Sequence, residues 1–149
     1  MTYREEQRDL FTVGEDYYLA HCISADFKLG AGIAVEFDKR FEMKKKLSKL
    51  VPCGNDEEFW DADKSNHGYC LRIDKVFNLV TKRNYWNKPT LRTMENALKN
   101  LRDLYCYPGI KIAMPRIGCG LDRLEWENVR RMIKCLFADT NVEILVCYQ

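Results

Sequence analysis

Short apolar runs alternate along the chain with stretches of helical periodicity. The run at residues 17–23 lacks strict polar alternation, which is typical of a strand buried on both faces. Similar runs predict four more strands, at residues 69–73, 76–81, 110–114 and 142–148. Apolar residues spaced by three and four predict three helices, at residues 33–41, 91–105 and 126–136. Pro89 is expected in the first turn of the middle helix. Such alternation predicts an α/β fold, a three-layer α/β/α sandwich with a mixed, largely parallel sheet.

Length and composition predict one soluble domain spanning residues 1–149. The chain has 149 residues, is 46% apolar, and has no apolar run of about 18 residues that could cross a bilayer. Its seven cysteines are odd in number and never spaced as C-x-x-C, so we expect no disulfide framework, no metal and no cofactor. We expect a cytoplasmic monomer without a membrane partner, with the nucleus as the alternative location in a eukaryote. A net charge of +2 does not indicate a dedicated nucleic-acid binder.

Two glycine-containing loops follow predicted strands at the carboxyl end of the sheet, where ligands of such sheets bind. The first spans residues 24–33 and opens a helix, whose N-terminal N–H groups suit a phosphate. Tight packing of helix on strand explains this loop equally well. The second, residues 115–122, places two glycines and an acid before another helix, and its N–H groups could form an anion nest. Two such loops facing one cleft would fit a diphosphate.

Candidate reactive side chains also have simpler explanations. Asp122 and Glu125 have the spacing of a capping box at the start of the third helix. Lys82 directly follows a strand and precedes Arg83, as a surface lysine would. His21 lies in an apolar run and is interpreted as a core histidine.

Several stretches together resemble the macrodomain family. The resemblance is closest to its terminal ADP-ribose protein glycohydrolase branch, to which the macrodomain of the DNA ADP-ribosylation antitoxin DarG is related. The matching stretches are DLF (9–11), LAHCIS and LGAGIAV (within 19–35), LVTK (79–82), KPT (88–90) and MPRIGCGLDRLEWENV (114–129). Residues 43–67 match no part of the family, and we interpret them as a surface insertion.

The resemblance implies a binding site for ADP-ribose. Lys82 and Asp122 would be the catalytic pair. The other implied contacts are Asp9 and Leu10 at adenine; Ser24, Gly30, Ala31, Gly32 and Ile33 at the distal ribose and phosphates; Arg116, Ile117, Gly118, Cys119, Gly120 and Leu121 around the diphosphate; and Gln149 at the adenine side.

The implied function is that of an ADP-ribosyl glycohydrolase. Its targets would be ADP-ribosylated Glu or Asp of proteins, O-acetyl-ADP-ribose, or ADP-ribosylated guanine in DNA. The anomeric carbon of ADP-ribose can open to an aldehyde, which an amine such as Lys82 can attack, while Asp122 serves as acid and base. Because a free lysine has a pKa of about 10.4, Lys82 would need desolvation or a neighbouring positive charge, and Arg83 is one candidate.

Two other functions remain open at this stage. A non-catalytic ADP-ribose reader would keep both loops and need neither Lys82 nor Asp122. A nucleotide-phosphate binder of another α/β family is disfavoured, because the chain has no G-x-x-x-x-G-K-[ST] or G-x-G-x-x-G motif.

Overall fold

A six-stranded sheet covered by helices on both faces forms the centre of the computed structural model, which describes residues 1–63 and 65–149. The elements in chain order are β1 (Thr2–Gln7), a 3-10 turn (Leu10–Thr12), β2 (Tyr18–Ser24), α1 (Ile33–Phe41), α2 (Met43–Leu50), α3 (Glu57–Ala62), β3 (Tyr69–Ile73), β4 (Val76–Lys82), α4 (Leu91–Tyr105), β5 (Lys111–Met114), α5 (Trp126–Leu136) and β6 (Glu143–Tyr148). Within the described ranges, no helix is both long and apolar enough to cross a membrane.

The sheet has the strand order β1-β6-β5-β2-β4-β3. Every neighbouring pair is parallel except β3 and β4, which are antiparallel. The predicted mixed, largely parallel sheet is therefore confirmed. The edge strand β1 was not predicted, because its residues are mostly charged or polar and alternate between exposed and half-buried positions.

Two apolar cores lie on opposite faces of the sheet, which gives the three layers. Along β4, Phe77 and Leu79 enter one core, whereas Val76 and Val80 enter the other. Helices α4 and α5 cover the first core, and α1 and α2 cover the second. Strands buried on both faces need apolar residues at successive positions, which explains their continuous apolar runs.

Helix α4 begins at Leu91 as predicted, but its proline lies elsewhere than predicted. Pro89 precedes the N-cap residue Thr90, so it lies outside the first turn. The Thr90 hydroxyl accepts a hydrogen bond from the Thr93 backbone N–H at 3.1 Å, and the Thr93 hydroxyl accepts one from the Thr90 N–H at 3.0 Å. This reciprocal capping box determines where the helix starts.

Residues 43–67, interpreted above as a surface insertion, contribute to the second core. Met43 and Leu47 of α2 are fully buried, and Trp60 of α3 is nearly so. The segment also supports the first glycine loop, because the Asp56 N–H donates to the Ala25 carbonyl at 2.8 Å. The surface interpretation was wrong because two helices with few apolar residues can still bury one face each.

Glu5 of β1 connects the edge strand to α5 and to the second glycine loop. Its carboxylate accepts hydrogen bonds from Arg130 Nε at 2.6 Å and from the Tyr3 hydroxyl at 2.7 Å. Arg116 Nη2 of the second loop lies 3.7 Å from the same carboxylate. Hydrogen bonding from Arg130 is the largest cause that lowers the pKa of Glu5 to about 2.

The Glu5→Gln variant should lose a pH-dependent part of the stability. Because the folded-state pKa of Glu5 lies below its ordinary value of 4.5, its ionised form stabilises the fold above about pH 4.5, and this contribution is lost as the pH falls towards about 2. The difference in Tm between the wild type and Glu5→Gln should therefore shrink over that interval in thermal unfolding. The matched control is Glu127→Gln, which removes the exposed partner of the same Arg130 and should change Tm little. A Glu5→Gln difference that stays constant with pH would contradict this role.

Candidate active site

Both glycine loops line one cleft at the carboxyl end of the sheet. The larger part of the cleft is a cavity of about 1380 Å³, which the loops share with Lys82 and Asp122. A second cavity of about 780 Å³ adjoins it and shares four lining residues with it: Ile33, Pro115, Arg116 and Gly120. The structure thus gives an elongated site with two compartments.

All sixteen site residues proposed from the sequence line one of these two cavities. Lys82 and Asp122 line the larger one. The others divide as follows: Ser24, Gly30, Ala31, Gly32, Ile117, Gly118 and Leu121 line the larger cavity, Asp9, Leu10, Cys119 and Gln149 the smaller, and Ile33, Arg116 and Gly120 both.

The first glycine loop is held by the buried carboxylate of Asp26. Its Oδ1 accepts hydrogen bonds from the Ser24 hydroxyl at 2.5 Å and the Lys28 N–H at 3.1 Å, and its Oδ2 accepts one from the Tyr85 N–H at 2.8 Å. Gly32 is the N-cap of α1 and has a φ of 63°. Because Gly32 has no side chain to cap the helix, and the Val35 N–H already donates to the Gly32 carbonyl at 3.2 Å, it is the first two N–H groups of α1 that can face an anion in the cleft.

The two glycines of the second loop serve different purposes. Gly118 has a φ of +74°, and a Cβ there would lie 2.8 Å from Met94 Cε and 2.9 Å from Leu124 Cδ1. A Cβ on Gly120 would meet no atom within 4 Å, and Gly120 lines both cavities. Gly118 is therefore required by the fold of the loop, whereas Gly120 keeps the cleft open.

Lys82 and Asp122 are in direct contact inside the cleft. Lys82 is the last residue of β4, and its Nζ donates to Asp122 Oδ1 at 2.7 Å. Their side chains are only 14% and 15% exposed. The interpretation of Lys82 as a plain surface lysine is therefore wrong, because the carboxyl end of β4 places its side chain against Asp122 of the second loop.

Asp122 does not cap a helix. Helix α5 begins at Trp126 with Glu125 as its N-cap, and no side chain makes the capping hydrogen bond. Asp122 lies three residues before that cap, and its carboxylate accepts from Lys82. The capping-box interpretation is wrong because Arg123, at a φ of 61°, turns the chain between Asp122 and the helix.

Arg83 contributes no unpaired positive charge near Lys82. Its guanidinium donates to both oxygens of Asp61, each at 2.8 Å, and to Glu57 Oε2 at 2.9 Å. These carboxylates belong to α3 and neutralise the charge. Arg83, one candidate named above for activating Lys82, is therefore unsuited to that role, and desolvation in the cleft is the candidate that remains.

The other candidate nucleophiles in or near the cleft are poorly suited to react. Cys22 lines the larger cavity and Cys119 the smaller. Burial raises the pKa of both thiols, that of Cys119 to about 11, so neither forms a thiolate readily near neutral pH. His21 is fully buried and stacks on Phe37 with ring centroids 3.8 Å apart. Its Nε2 lies 2.6 Å from Asn78 Oδ1, as expected of a core histidine.

The smaller cavity combines apolar and planar side chains with an acid. Asp9 Oδ1 accepts from the Phe11 N–H at 2.9 Å and so caps the 3-10 turn, which positions Leu10. Arg116 and Tyr148 also line this cavity, and the Arg116 guanidinium lies 4.2 Å from the centre of the Tyr148 ring. This compartment can hold a flat heterocycle beside the loop that faces the larger cavity.

Several cleft residues were missed by reasoning from the sequence. They lie at the mouth of the larger cavity and are aromatic or basic, namely Lys28, Tyr85, Trp86, Lys88 and Arg123. The signal available in the sequence was the aromatic pair Tyr85-Trp86 directly after a strand and its lysine.

Comparisons with known proteins agree with this geometry. No family model matches the chain. The ADP-ribose glycohydrolase OARD1 of Homo sapiens is 38% identical over 141 residues, which cover 93% of this chain and 86% of that protein. The macrodomain of Mycobacterium tuberculosis DarG has a TM-score of 0.72 at 17% identity and covers 99% of this chain and 98% of its own.

A further similar structure is that of Thermosipho africanus DarTG in complex with ADP-ribose. It has a TM-score of 0.70 at 18% identity and covers 99% of this chain and 42% of its own. At such low identity the two structures support the fold, whereas the 38% identity to OARD1 extends over nearly the whole chain. The chain therefore belongs to the macrodomain family, in the branch of the ADP-ribose glycohydrolase OARD1.

Proposed function

We propose that this macrodomain hydrolyses the bond between ADP-ribose and an attached group, with Lys82 as nucleophile and Asp122 as acid and base. The observation that carries the proposal is the 2.7 Å contact between Lys82 Nζ and Asp122 Oδ1 inside the cleft. The hydrolase activity agrees with that of the 38% identical relative, which is named an ADP-ribose glycohydrolase.

The two compartments fit the two ends of ADP-ribose. The adenine would occupy the smaller cavity near Asp9, Leu10 and Gln149. The diphosphate would lie along the second loop, where Arg116 and Gly120 line both cavities. The distal ribose would then extend towards Ser24 and Lys82 in the larger cavity.

The first chemical step begins with a proton moving from Lys82 to Asp122. Substrate in the cleft would exclude water from this pair, which is already mostly buried, and favour the neutral amine and carboxylic acid. Lys82 Nζ then bonds to the anomeric carbon of the distal ribose while the bond to the attached group breaks. Asp122 passes its proton to the leaving group, so both charge and atoms balance.

The second step releases the sugar from the lysine. Asp122, again a carboxylate, takes a proton from a water molecule that attacks the same carbon. The carbon–nitrogen bond breaks, ADP-ribose leaves, and Asp122 returns the proton to Lys82. A single aspartate within hydrogen-bond distance of the lysine can perform all of these transfers.

A reader that binds ADP-ribose without cleaving it is the alternative. Such a module would gain nothing from a buried lysine and aspartate in contact, since the phosphate-binding loops would suffice. The leaving group in our proposal is a protein carboxylate, an acetyl group, or guanine in DNA, and all three would share the ADP-ribose cleft. O-acetyl-ADP-ribose deacetylation is thus one of the proposed activities, and the cytoplasm remains the proposed location.

Replacing Asp122 by Asn should separate catalysis from binding. We expect turnover to fall by about 10²- to 10⁴-fold, as for a lost general acid or base, while the Kd for ADP-ribose stays near the wild-type value. Turnover of O-acetyl-ADP-ribose and of an ADP-ribosylated glutamate peptide, together with calorimetric titration of ADP-ribose, would measure both quantities.

Glu125→Gln is the matched control, because Glu125 is the N-cap of α5 and lies three residues from Asp122. It should keep the turnover and Tm of the wild type. An Asp122→Asn protein that turns over both substrates like the wild type would contradict the proposed mechanism.

Valine at the two glycines of the second loop should have opposite effects. Gly120→Val should weaken ADP-ribose binding with little change in Tm, because the side chain would project into the open cleft. Gly118→Val should lower Tm markedly, because a Cβ there would clash with Met94 and Leu124 at a left-handed φ. Calorimetric titration and thermal unfolding of both variants would test this, and wild-type ADP-ribose affinity in Gly120→Val would exclude the second loop as the phosphate site.

A further inference from the structure

A third cavity lies at the β3 edge of the sheet, between α3, the residues that lead into β3, and α4. Its volume is about 410 Å³. Among the described residues, none that lines it also lines either compartment of the cleft. One wall is formed by residues 59–67, which belong to the segment that matches no part of the family. The ADP-ribose site therefore does not explain this cavity.

Helix α4 holds the other wall in place. Asn96 Nδ2 donates to the His67 carbonyl at 2.7 Å. The next residue is Gly68, where a Cβ would meet the Thr93 carbonyl and lie 2.9 Å from Asn96 Cβ. The backbone before β3 is thus packed directly on the helix, and the cavity beside it has a defined shape.

Four side chains with rings line the cavity, namely Phe59, Trp60, His67 and Tyr69. The Trp60 indole stacks on the His67 imidazole with centroids 4.4 Å apart, whereas Phe59 meets Tyr69 edge to face at 4.9 Å. The Tyr69 hydroxyl donates to Asp56 Oδ2 at 3.0 Å, which fixes its ring. Phe59 is 60% exposed and, in the part of the chain that the structure describes, packs in neither core. Core packing therefore does not explain an aromatic residue at position 59.

Acidic side chains accompany these rings. Asp63 and Asp103 both line the cavity. The backbone N–H and the hydroxyl of Ser65 donate to Asp63 Oδ1 at 3.2 and 3.0 Å, and this hydrogen bonding lowers the pKa of Asp63 below its usual value. The cavity thus presents negative charge beside aromatic rings, whose faces are also negative.

The basic side chains near these acids are already paired. Lys99 lines the cavity, but its Nζ lies 3.0 Å from Glu95 Oε1 on the same helix. Arg102 Nε lies 2.8 Å from Asp103 Oδ1. Asp63 is therefore the acid whose charge is best placed to act on a cation in the cavity.

One nitrogen in the wall lacks a hydrogen bond. His67 Nε2 is buried, and no described residue makes a hydrogen bond with it. A buried polar atom without a partner destabilises the fold, and such atoms are rare in native proteins. A ligand with an N–H or O–H donor would satisfy this nitrogen.

From these features we infer that the third cavity binds a substituted ammonium group, as carried by a choline-like molecule or by a methylated lysine. Several aromatic faces around one cavity are the usual means of recognising such cations. Asp63 supplies the opposite charge, and His67 Nε2 can accept a hydrogen bond from a donor beside the cation. The inference does not depend on the proposed catalysis, because these residues do not line the cleft.

The first test compares two molecules of nearly the same shape on the wild-type chain. Choline carries a positive trimethylammonium group, whereas 3,3-dimethylbutanol has carbon in place of that nitrogen and is neutral. We expect choline to shift the Trp60 indole and Asn96 amide signals in two-dimensional NMR, with saturation. The neutral alcohol should bind about 2- to 30-fold more weakly, which is a cation–π energy of about 0.5–2 kcal/mol converted at 1.4 kcal/mol per tenfold change.

Two peptides distinguish the source of the cation. One carries trimethyllysine and the other the unmodified lysine at the same position. A trimethyllysine peptide that binds more tightly than both its unmodified counterpart and choline would assign the cavity to a modified protein. Choline binding that exceeds that of both peptides would assign it to a small molecule, and either result supports the inference.

Variants of exposed residues test the assignment to this cavity. Phe59→Ala should raise the Kd for choline about 2- to 30-fold, whereas Phe59→Tyr keeps the ring and should bind like the wild type. Asp63→Asn should also weaken binding, although it keeps the oxygen that Ser65 contacts. Glu58→Gln is the matched control, because Glu58 is an exposed acid of α3 that does not line the cavity. All four variants should keep the wild-type Kd for ADP-ribose.

Three outcomes would overturn the inference. Equal Kd values for choline and 3,3-dimethylbutanol would mean that the cavity does not select a cation. Absence of binding by both choline and the trimethyllysine peptide would exclude the site. An unchanged Kd for choline in both Phe59→Ala and Asp63→Asn would place the binding elsewhere. The comparison of the two alcohols uses only the wild type, so it decides the question even if a variant fails to fold.

Discussion

The buried carboxylate of Asp26 joins the parts of the molecule on which the cleft depends. Its two oxygens accept hydrogen bonds from the end of β2, from the first glycine loop and from the turn after β4. The backbones of the same two strand ends are joined next to it, where the Ala25 N–H donates to the Lys82 carbonyl at 2.9 Å and the Asp26 N–H to the Arg83 carbonyl at 3.1 Å. A buried carboxylate is stable only when donors satisfy its oxygens, so the loss of any of these partners would weaken the junction. The position of Lys82 is therefore a consequence of how β2 and β4 end.

Around this junction the sheet places the loops, and the helices position individual side chains. Parallel strands bring both glycine loops to one edge, and α4 packs Met94 against the position that Gly118 must leave free. Helix α3 holds Arg83 through Asp61 and Glu57, which directs that guanidinium away from its neighbour Lys82. Asp122 is then the one acid among the described residues that line the larger cavity. Lysine and aspartate share a mostly buried contact, and a proton can pass between them without crossing water.

Much of this architecture could be predicted from the sequence, because buried strands and amphipathic helices follow local patterns. The runs that became β2, β4, β5 and β6 were visible since both of their faces are buried. The edge strand β1 was not, since a strand with one half-buried face and charged residues has no such pattern. The loops were predicted to meet because strand ends in a parallel sheet share an edge. The burial of α2 and α3 was missed because only three residues, Met43, Leu47 and Trp60, carry it among many charges.

The site depended more on contacts between distant residues, which spacing alone does not reveal. Asp122 and Glu125 have the spacing of a capping box, yet the chain turns at Arg123 and the helix starts later. The partners of Arg83 lie 22 and 26 residues before it. Only the family resemblance brought Lys82 and Asp122 together.

The central claim is that Lys82 becomes bonded to the sugar and that Asp122 is needed to release it. Intact-mass spectrometry of the Asp122→Asn protein after incubation with an ADP-ribosylated substrate tests this most directly. With a carboxylate ester as substrate the leaving group needs no proton, so the first step can still proceed slowly from the neutral fraction of Lys82, whereas the second step lacks the base that activates water. We therefore predict a protein species heavier by one ADP-ribosyl group, attached at Lys82 by peptide mapping and absent from the Lys82→Ala/Asp122→Asn double variant. An adduct that persists in the double variant, or full turnover by a Lys82→Ala protein, would contradict a lysine nucleophile.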